Sequence, residues 1–394
     1  MSRVFILGAC RTPIGKIGGV LSSLSATDIG TIVIKEVLRR SKIPVEQIDH
    51  VYMGCVLQAG LGQNIARQVS LKAGLPVTTT AQTVNIVCGS GLDAVNSAAR
   101  LIKLGEASIV IAGGTESMSK APFVLKNARY GYKIGSPMLN TPLVDTMVND
   151  GLWDAINDYH MGITAENIAE KWKIKRYELD KFALSSQEKT SKAIEAGLFQ
   201  EEIVPISVDN RIIYSDEAPR PNTTIEKLSK LKPVFKSNGV ITAGNSSGLN
   251  DGAAAVVLVS ENKIKELNLI PQAEWLGGSL AGVDPAIMGI GSVASTNKLL
   301  KKLDTKIEDI NIIESNEAFA AQSIAVQREL NIPDEKLNVN GGAIALGHPI
   351  GASGTRILVT LIYALQQRRA LTGLATLCIG GGMGCSTVIR RYVY

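Results

Sequence analysis

The sequence predicts an α/β protein made of two similar units, the first interrupted by a long insertion. Three observations lead there. Short β-branched runs alternate with amphipathic helical stretches near both ends of the chain, the pattern of βα units stacked in layers. Between residues 119 and 247 the chain turns charged and irregular, after which a buried-strand signature resumes. Two stretches also read alike. Cys88-Gly-Ser-Gly91 leads through an apolar helix and a strand to Gly113-Gly114; Gly351-Ala-Ser-Gly354 leads the same way to Gly380-Gly381. That likeness predicts an internal duplication, although Gly-x-x-Gly ahead of a helix is common without one. At roughly 100–200 residues per domain, a chain of 394 residues accommodates the plan. The boundaries read as 1–118 with 248–270 for the first unit, 119–247 for the insertion and 271–394 for the second unit.

Residues 4–7 form a first buried strand. Arg3 ahead of an apolar run loosely mimics a secretion signal, but Arg11 ends the run and residues 12–16 hold no small-residue cleavage site. A helix at 26–40 and a strand at 51–54 follow. A strand at 83–87, a helix at 92–104 and a strand at 108–112 carry the unit to Gly113-Gly114. In the insertion, helices around 164–173 and 178–196 keep one polar side. The strand at 253–259 returns to the first unit. In the second unit a strand at 310–313, a helix at 358–366 and a strand at 374–379 are expected. Two such units facing each other make a cleft fed by turns from both.

Apolar types make up 45% and charged types 20%, ordinary for a soluble globular protein, which excludes disorder, collagen and a coiled coil. A net charge of +5 is too mild for a nucleic-acid protein. The 38 glycines suit tight turns and close backbones. Five cysteines and three histidines are scattered without C-x-x-C, so neither a disulfide framework nor a zinc site is expected, and a reducing cytosol fits. No apolar run of about 18 residues predicts a membrane span, and no terminal lipidation or peroxisomal signal is read.

Cys88 stands between a strand and a helix whose first turn holds Gly89 and Gly91. Unpaired N–H groups at a helix start favour a thiolate, so the placement is that of a nucleophile on an elbow; a small buried hydrophobe fits it too. Residues 338–355 are glycine-dense and carry His348, fixed by Pro349. Such glycines predict close backbone approach, and the histidine sits at a strand-to-helix edge where catalytic groups are placed; a structural histidine is the alternative. Cys378 ends a buried strand, and the glycines after it offer N–H donors for an oxyanion. Asn316, an uncharged donor, follows the strand 310–313. Gly89-x-Gly91-x-x-Ala94 and Gly289-x-Gly291-x-x-Ala294 match a loose dinucleotide fingerprint, but neither has a well-placed acid about 20 residues on. Residues 347–355 lack the lysine of a phosphate-binding loop.

Taken together, Asn85-x-x-Cys88-Gly-Ser-Gly, Asn316-Glu-Ala-Phe, Gly341-Gly-x-x-Ala-x-Gly-His348-Pro-x-Gly and Cys378-x-Gly-Gly-Gly resemble the motifs of the thiolase family. The likeness spans essentially the whole chain. It includes Arg11-Thr-Pro-Ile-Gly, Gly113-Gly-Thr-Glu-Ser-Met118 and Gly244-Asn-Ser-Ser-Gly-Leu-Asn-Asp-Gly-Ala253. Asp150-Gly-Leu-Trp-Asp154 and His160-Met161-Gly-x-Thr-Ala-Glu-Asn are similar to the short-chain, acetoacetyl-CoA type. Ile86 departs from the polar residue frequent there and reads as a packing change.

The resemblance implies a thiolase fold: two duplicated α/β domains in a layered α-β-α-β-α arrangement, with the insertion as a CoA-binding loop domain. It implies an acetyl-CoA C-acetyltransferase that condenses two acetyl-CoA to acetoacetyl-CoA and CoA, reversibly. In that reading Cys88 carries the acyl group and His348 takes its proton. Cys378 removes the α-proton of the second acetyl-CoA, a task within tuning range of a thiol whose ordinary pKa is about 8.5. Asn316, through a water, and His348 hold the enolate oxygen. The N–H groups of Cys88 and Gly380 hold the tetrahedral oxyanion. Coenzyme A is substrate and product, and no metal or resident cofactor is implied.

Residues 220–236 hold Arg220, Lys227, Lys230, Lys232 and Lys236 against Glu226 alone. By themselves they read as a solvated helix face. With the resemblance, Arg220 is expected at the adenosine phosphate end of CoA, Ser247 and Ala243 on the pantetheine arm. His160, Met161, Phe235, Met288 and Phe319 are expected around the acyl group, with core packing as the alternative. A cytoplasmic homotetramer, a dimer of dimers, is implied, with no nucleic-acid or membrane partner. The rivals are a degradative 3-ketoacyl-CoA thiolase of fatty-acid β-oxidation and a non-catalytic CoA- or lipid-binding protein of the same fold. A β-ketoacyl synthase pairs its cysteine with two histidines, or with His and Asn, and Cys378 disfavours it.

Overall fold

Successive side chains along the main strands enter different cores, and this alternation sets the layers. The computed structural model describes residues 3–131 and 142–393, so residues 132–141 of the insertion lie outside it. In the first half β1 (Val4–Arg11), β2 (His50–Gly54), β3 (Thr80–Val84), β4 (Ile109–Ser117) and β5 (Asn250–Ser260) stand in the order β1-β5-β4-β2-β3. In the second, β6 (Ala273–Gly282), β7 (Ile312–Ser315), β8 (Thr372–Ile379) and β9 (Met383–Arg391) stand in the order β6-β9-β8-β7. The two orders trace one path. β5 is antiparallel to β1 and β4, as β9 is to β6 and β8. β2 runs parallel to β4, as β7 does to β8. The parallel neighbour β3 has its counterpart in one bridge between Ile313 and Leu337. β1 also pairs with β6, Val4 opposite Trp275, so the halves share a continuous sheet.

The principal helices are α1 (Ala26–Ser41), α2 (Ile65–Lys72), α3 (Ser90–Leu104), α4 (Met161–Lys171), α5 (Arg176–Glu195), α6 (Gly291–Leu303), α7 (Ala320–Glu329) and α8 (Ile350–Gln367). Val4, Ile6, Val110, Val256 and Leu258 face a central core filled by α3 and α8, which meets Leu377, Ile379 and Ile389 of the second half. Phe5, Leu7, Ile111 and Val257 face outward under α1 and α2. Leu374 and Val388 face outward under α6 and α7. The stack is therefore helix, sheet, helix, sheet, helix. Each fully buried Val, Leu or Ile contributes about 1.5–3 kcal/mol, so reversing the register of one strand would strip two cores at once.

Four elements depart from the sequence reading for a packing reason. β4 runs through Gly113-Gly114 to Ser117 where an end was expected; a Cβ on Gly113 would lie 2.4 Å from Ala254 O, so that glycine admits β5 and makes no turn. β3 spans Thr80–Val84 and not 83–87, because Val87 takes a left-handed backbone. α3 and α8 begin at Ser90 and Ile350, before the expected 92 and 358. Gly91 and Gly354 are helical because the two helices cross tightly: a Cβ on Gly354 would lie 2.4 Å from Leu92 N. Among the described residues no helix is long and apolar enough to cross a membrane.

Arg11 explains one motif. Its buried guanidinium donates to Glu202 at 2.5 Å and to Asp216 at 2.6 and 2.9 Å. It thereby ties two points of the insertion to the end of β1.

Candidate active site

The turn between β3 and α3 carries Cys88. Val87 there has φ +52°, a conformation that β-branched residues seldom adopt and that costs about 1–3 kcal/mol. Neighbouring side chains impose it. Asn85 Oδ1 accepts from Val87 N at 3.1 Å; Ser90 Oγ donates to Val87 O at 2.6 Å and accepts from Ile86 N at 3.0 Å. The half-buried Cys88 has its thiol pushed up to about 11 by desolvation, even though the N–H groups of Gly380 and Cys88 donate to the sulfur. Burial thus opposes the acidification expected of a helix start, and at neutral pH the resting sulfur is a thiol.

His348 sits just ahead of α8. Its Nδ1 lies 2.5 Å from Ser353 Oγ, which itself donates to Pro349 O at 2.9 Å. A hydroxyl whose one hydrogen is engaged must accept here, so Nδ1 carries the imidazole proton and Nε2 keeps its lone pair. Burial, then the Arg356 charge, lowers the imidazole to about 3, leaving a neutral base. Asn316 follows β7, its N–H donating to Thr376 O at 3.0 Å and its Nδ2 lying 3.4 Å from His348 Nε2. Asn250 of β5 accepts from His348 N at 2.9 Å, which ties the histidine to the first half.

Glycines let α8 reach Cys88. A Cβ on Gly114 would lie 2.1 Å from Gly351 O, and one on Gly54 2.7 Å from Gly91 N. Beneath this junction Glu116 accepts from Gly351 N at 2.8 Å and from Val56 N and Leu57 N at 3.1 Å. Burial raises its carboxyl to about 7 against those donors.

β8 ends next to Cys378 and returns as β9 with Ile379 opposite Met383. Gly381 and Gly382 take φ +82° and +86° in that hairpin, which only glycine adopts freely. The turn leaves Gly380 N–H on the Cys88 sulfur. Cys378 is buried, and burial followed by the charge of Cys88 pushes its thiol further up.

A cavity of about 420 Å³ is bordered by Cys88, His348 and Gly380. His160, Met161, Phe235, Met288 and Phe319 line it, as do Arg220, Ala243 and Ser247. The His160 ring stacks on Phe235 at 4.7 Å, and its Nδ1 accepts from Gly162 N at 3.0 Å. Cys378 and Asn316 lie buried behind this lining. A neighbouring cavity of about 610 Å³ shares Arg220 and Ala243 with the first and adds Lys16 and Lys227. Lys230, Lys232 and Lys236 border neither; Lys236 faces Glu170 at 3.8 Å. The basic run is therefore split, and the sequence reading missed Lys16. It also missed Ser353, Glu116 and Asn250. All three stand inside quoted stretches, where a polar side chain among small residues was the available signal.

Comparison with known proteins bears on this geometry. The family description "Thiolase, N-terminal domain" matches residues 4–262 and "Thiolase, C-terminal domain" residues 269–391. A protein of Syntrophomonas wolfei subsp. wolfei named acetyl-CoA acetyltransferase is 53% identical, covering 98% of each chain. One of Staphylococcus epidermidis named probable acetyl-CoA acyltransferase is 52% identical over 100% of both. The crystal structure of the Bacillus anthracis acetyl-CoA acetyltransferase superposes with a TM-score of 0.96 at 44% identity, covering 100% of this chain and 99% of that one. That of human mitochondrial 3-ketoacyl-CoA thiolase in complex with CoA gives 0.96 at 44%, covering 100% and 98%. Matched in both halves of its sequence and along its whole fold, the chain belongs to the thiolase family.

Proposed function

We propose that this chain is an acetyl-CoA C-acetyltransferase, converting two acetyl-CoA to acetoacetyl-CoA and CoA, reversibly, through an acyl-Cys88 intermediate. The observation that carries the reading is one cavity bordered by Cys88, His348 and the Gly380 N–H, with Cys378 in electrostatic reach of Cys88. His348 Nε2 takes the Cys88 proton as sulfur bonds to the acetyl carbon. The oxyanion rests on the N–H groups of Cys88 and Gly380, each such donor being worth about 3–4 kcal/mol. Cleavage of the thioester returns the proton from His348 to the CoA sulfur. Cys378 first loses its own proton to solvent and then, as thiolate, takes the α-proton of a second acetyl-CoA. Acylation helps, because a thioester at Cys88 cannot ionise and so cannot carry the charge that would hold the Cys378 thiol up. Asn316, through a water, donates to the enolate oxygen, and His348 joins it only when its Nε2 carries a proton. The enolate pair forms the new C–C bond, the Cys88 sulfur leaves with the C–S pair, and the proton passes from Cys378 to Cys88.

Coenzyme A serves as substrate and product, and the steps call on no resident cofactor. Arg220, exposed between the two cavities, meets the adenosine phosphate end with Lys16 and Lys227. Ala243 and Ser247 flank the pantetheine arm, and the aromatic and methionine side chains enclose the acetyl groups. The free state of all five cysteines supports a cytoplasmic setting. Exposed Phe123 (62%) and Leu143 (65%) on one hairpin support self-association, read here as a homotetramer, a dimer of dimers.

Intact-mass measurement after incubation with acetyl-CoA tests the reading. One acetyl group should appear on the wild-type chain and none on Cys88→Ala, which should still bind CoA. Cys378→Ser should be acetylated and condense poorly. A wild-type chain that binds CoA without gaining mass is a binding protein and not a transferase.

A further inference from the structure

Arg356 is buried on α8 with 2% exposure, one turn past Ser353 and on the same helix face. Its Nη2 lies 3.5 Å from Asn316 Oδ1 and its Nη1 3.8 Å from Glu314 Oε2. Glu314 and Asn316 are two residues apart, so both leave β7 on one side. As a stabilising ion pair this arrangement is poor. Arg356 Nε and Nη1 and Glu314 Oε1 have no hydrogen-bond partner among the described residues, and buried pairs add little stability even when tight.

What the position supplies is direction. A carboxamide fits its site either way round. With the proton on Nδ1, His348 Nε2 only accepts, whereas a guanidinium only donates. One orientation alone suits both neighbours, Nδ2 toward His348 and Oδ1 toward Arg356. We propose that Arg356 is a positioning residue for condensation, fixing the Asn316 carboxamide with its donor toward His348 and the enolate oxygen. One face of α8 then sets both partners: Ser353 the imidazole tautomer, Arg356 the amide. The 3.4 and 3.5 Å separations are long for hydrogen bonds, as expected of a site that tightens on substrate. The same positive charge opposes protonation of His348.

The assignment rests on the thiolase reading of Asn316, and half-reactions separate the two. Arg356→Gln can present an acceptor to the amide and should slow acetoacetyl-CoA formation by roughly tenfold or more, while Cys88 is acetylated no more slowly than in the wild type, because loss of the charge leaves His348 more basic. Arg356→Lys, still donor-only, should recover part of that loss. In an Asn316→Ala background Arg356→Gln should slow condensation no further. Melting curves identify folded variants, and if Gln fails to fold the Lys variant is compared alone in both backgrounds. Multiplying losses in the double variant, or acylation and condensation falling together, would overturn the assignment. A wild-type chain that gains no acetyl group would overturn the thiolase reading itself; normal acetylation with full condensation in Arg356→Gln overturns this proposal alone.

Discussion

His348 and Cys88 rest as a neutral imidazole and a protonated thiol, which fixes how each responds to pH. The imidazole stays neutral above about 3 and the thiol protonated below about 11. Over that span the reactive pair is fully present, so the rate of Cys88 acetylation should stay level from pH about 5 to about 9. Alkylation by iodoacetamide needs the thiolate, so it should be slow at neutral pH and climb toward the alkaline end. Stopped-flow acylation and timed alkylation measure the two. An alkylation plateau already reached near pH about 6 would mean a preformed thiolate–imidazolium pair and would refute the neutral one. Stability follows the same groups. The imidazole falls from 6.5 to about 3 on folding, so below 6.5 the unfolded chain binds that proton first, and acid favours unfolding.

Two helix starts, those of α3 and α8, decide whether the reacting groups meet. A Cβ on Gly114 would lie 2.1 Å from Gly351 O, a backbone atom that cannot swing aside. Gly114→Ala should therefore push the start of α8 away, lowering stability by about 2 kcal/mol and acyl transfer by more than about tenfold. Gly105 caps α3 at φ +80° with nothing near its Cβ position. Gly105→Ala should lose about 1 kcal/mol yet keep its activity per folded molecule. Melting curves beside steady-state rates separate the cases, and equal activity loss in both variants would refute the junction argument. The sequence made much of this legible. Cys88, His348 and Cys378 each stand where glycines interrupt a strand or helix signal, and the alternation of Val4–Leu7 between two cores was readable as a buried strand. What was not readable depended on a distant partner. Gly351 and Gly354 look like helix breakers until α3 lies against them. Ile86 and Val87 look like strand until Asn85 and Ser90 bend them away. The thiol of Cys88 looks acidified until the second half of the chain buries it.

The acyl cavity exists only when all three parts of the chain are assembled. Cys88 comes from the first half, His348, Met288 and Phe319 from the second, and His160 and Phe235 from the insertion. Phe235 is the centre of this wall. It stacks on His160, meets Phe319 edge-on at 6.2 Å, and lies so close over Gly162 that a Cβ there would be 2.2 Å from the ring. Contacts on three sides oppose its movement for a longer acyl group, and about 420 Å³ serves both the acyl group and the end of the pantetheine. Thiolysis of acetoacetyl-CoA should therefore exceed that of 3-ketohexanoyl-CoA by more than about tenfold in kcat/KM. Phe235→Ala should narrow that ratio by improving the longer substrate, with Cys88 acetylation retained. The equal likeness to a 3-ketoacyl-CoA thiolase makes this the deciding measurement between the two readings. If the wild-type chain cleaves 3-ketohexanoyl-CoA as fast as acetoacetyl-CoA, the wall does not select, and the degradative reading replaces the condensing one while the roles of Cys88, His348 and Cys378 stand.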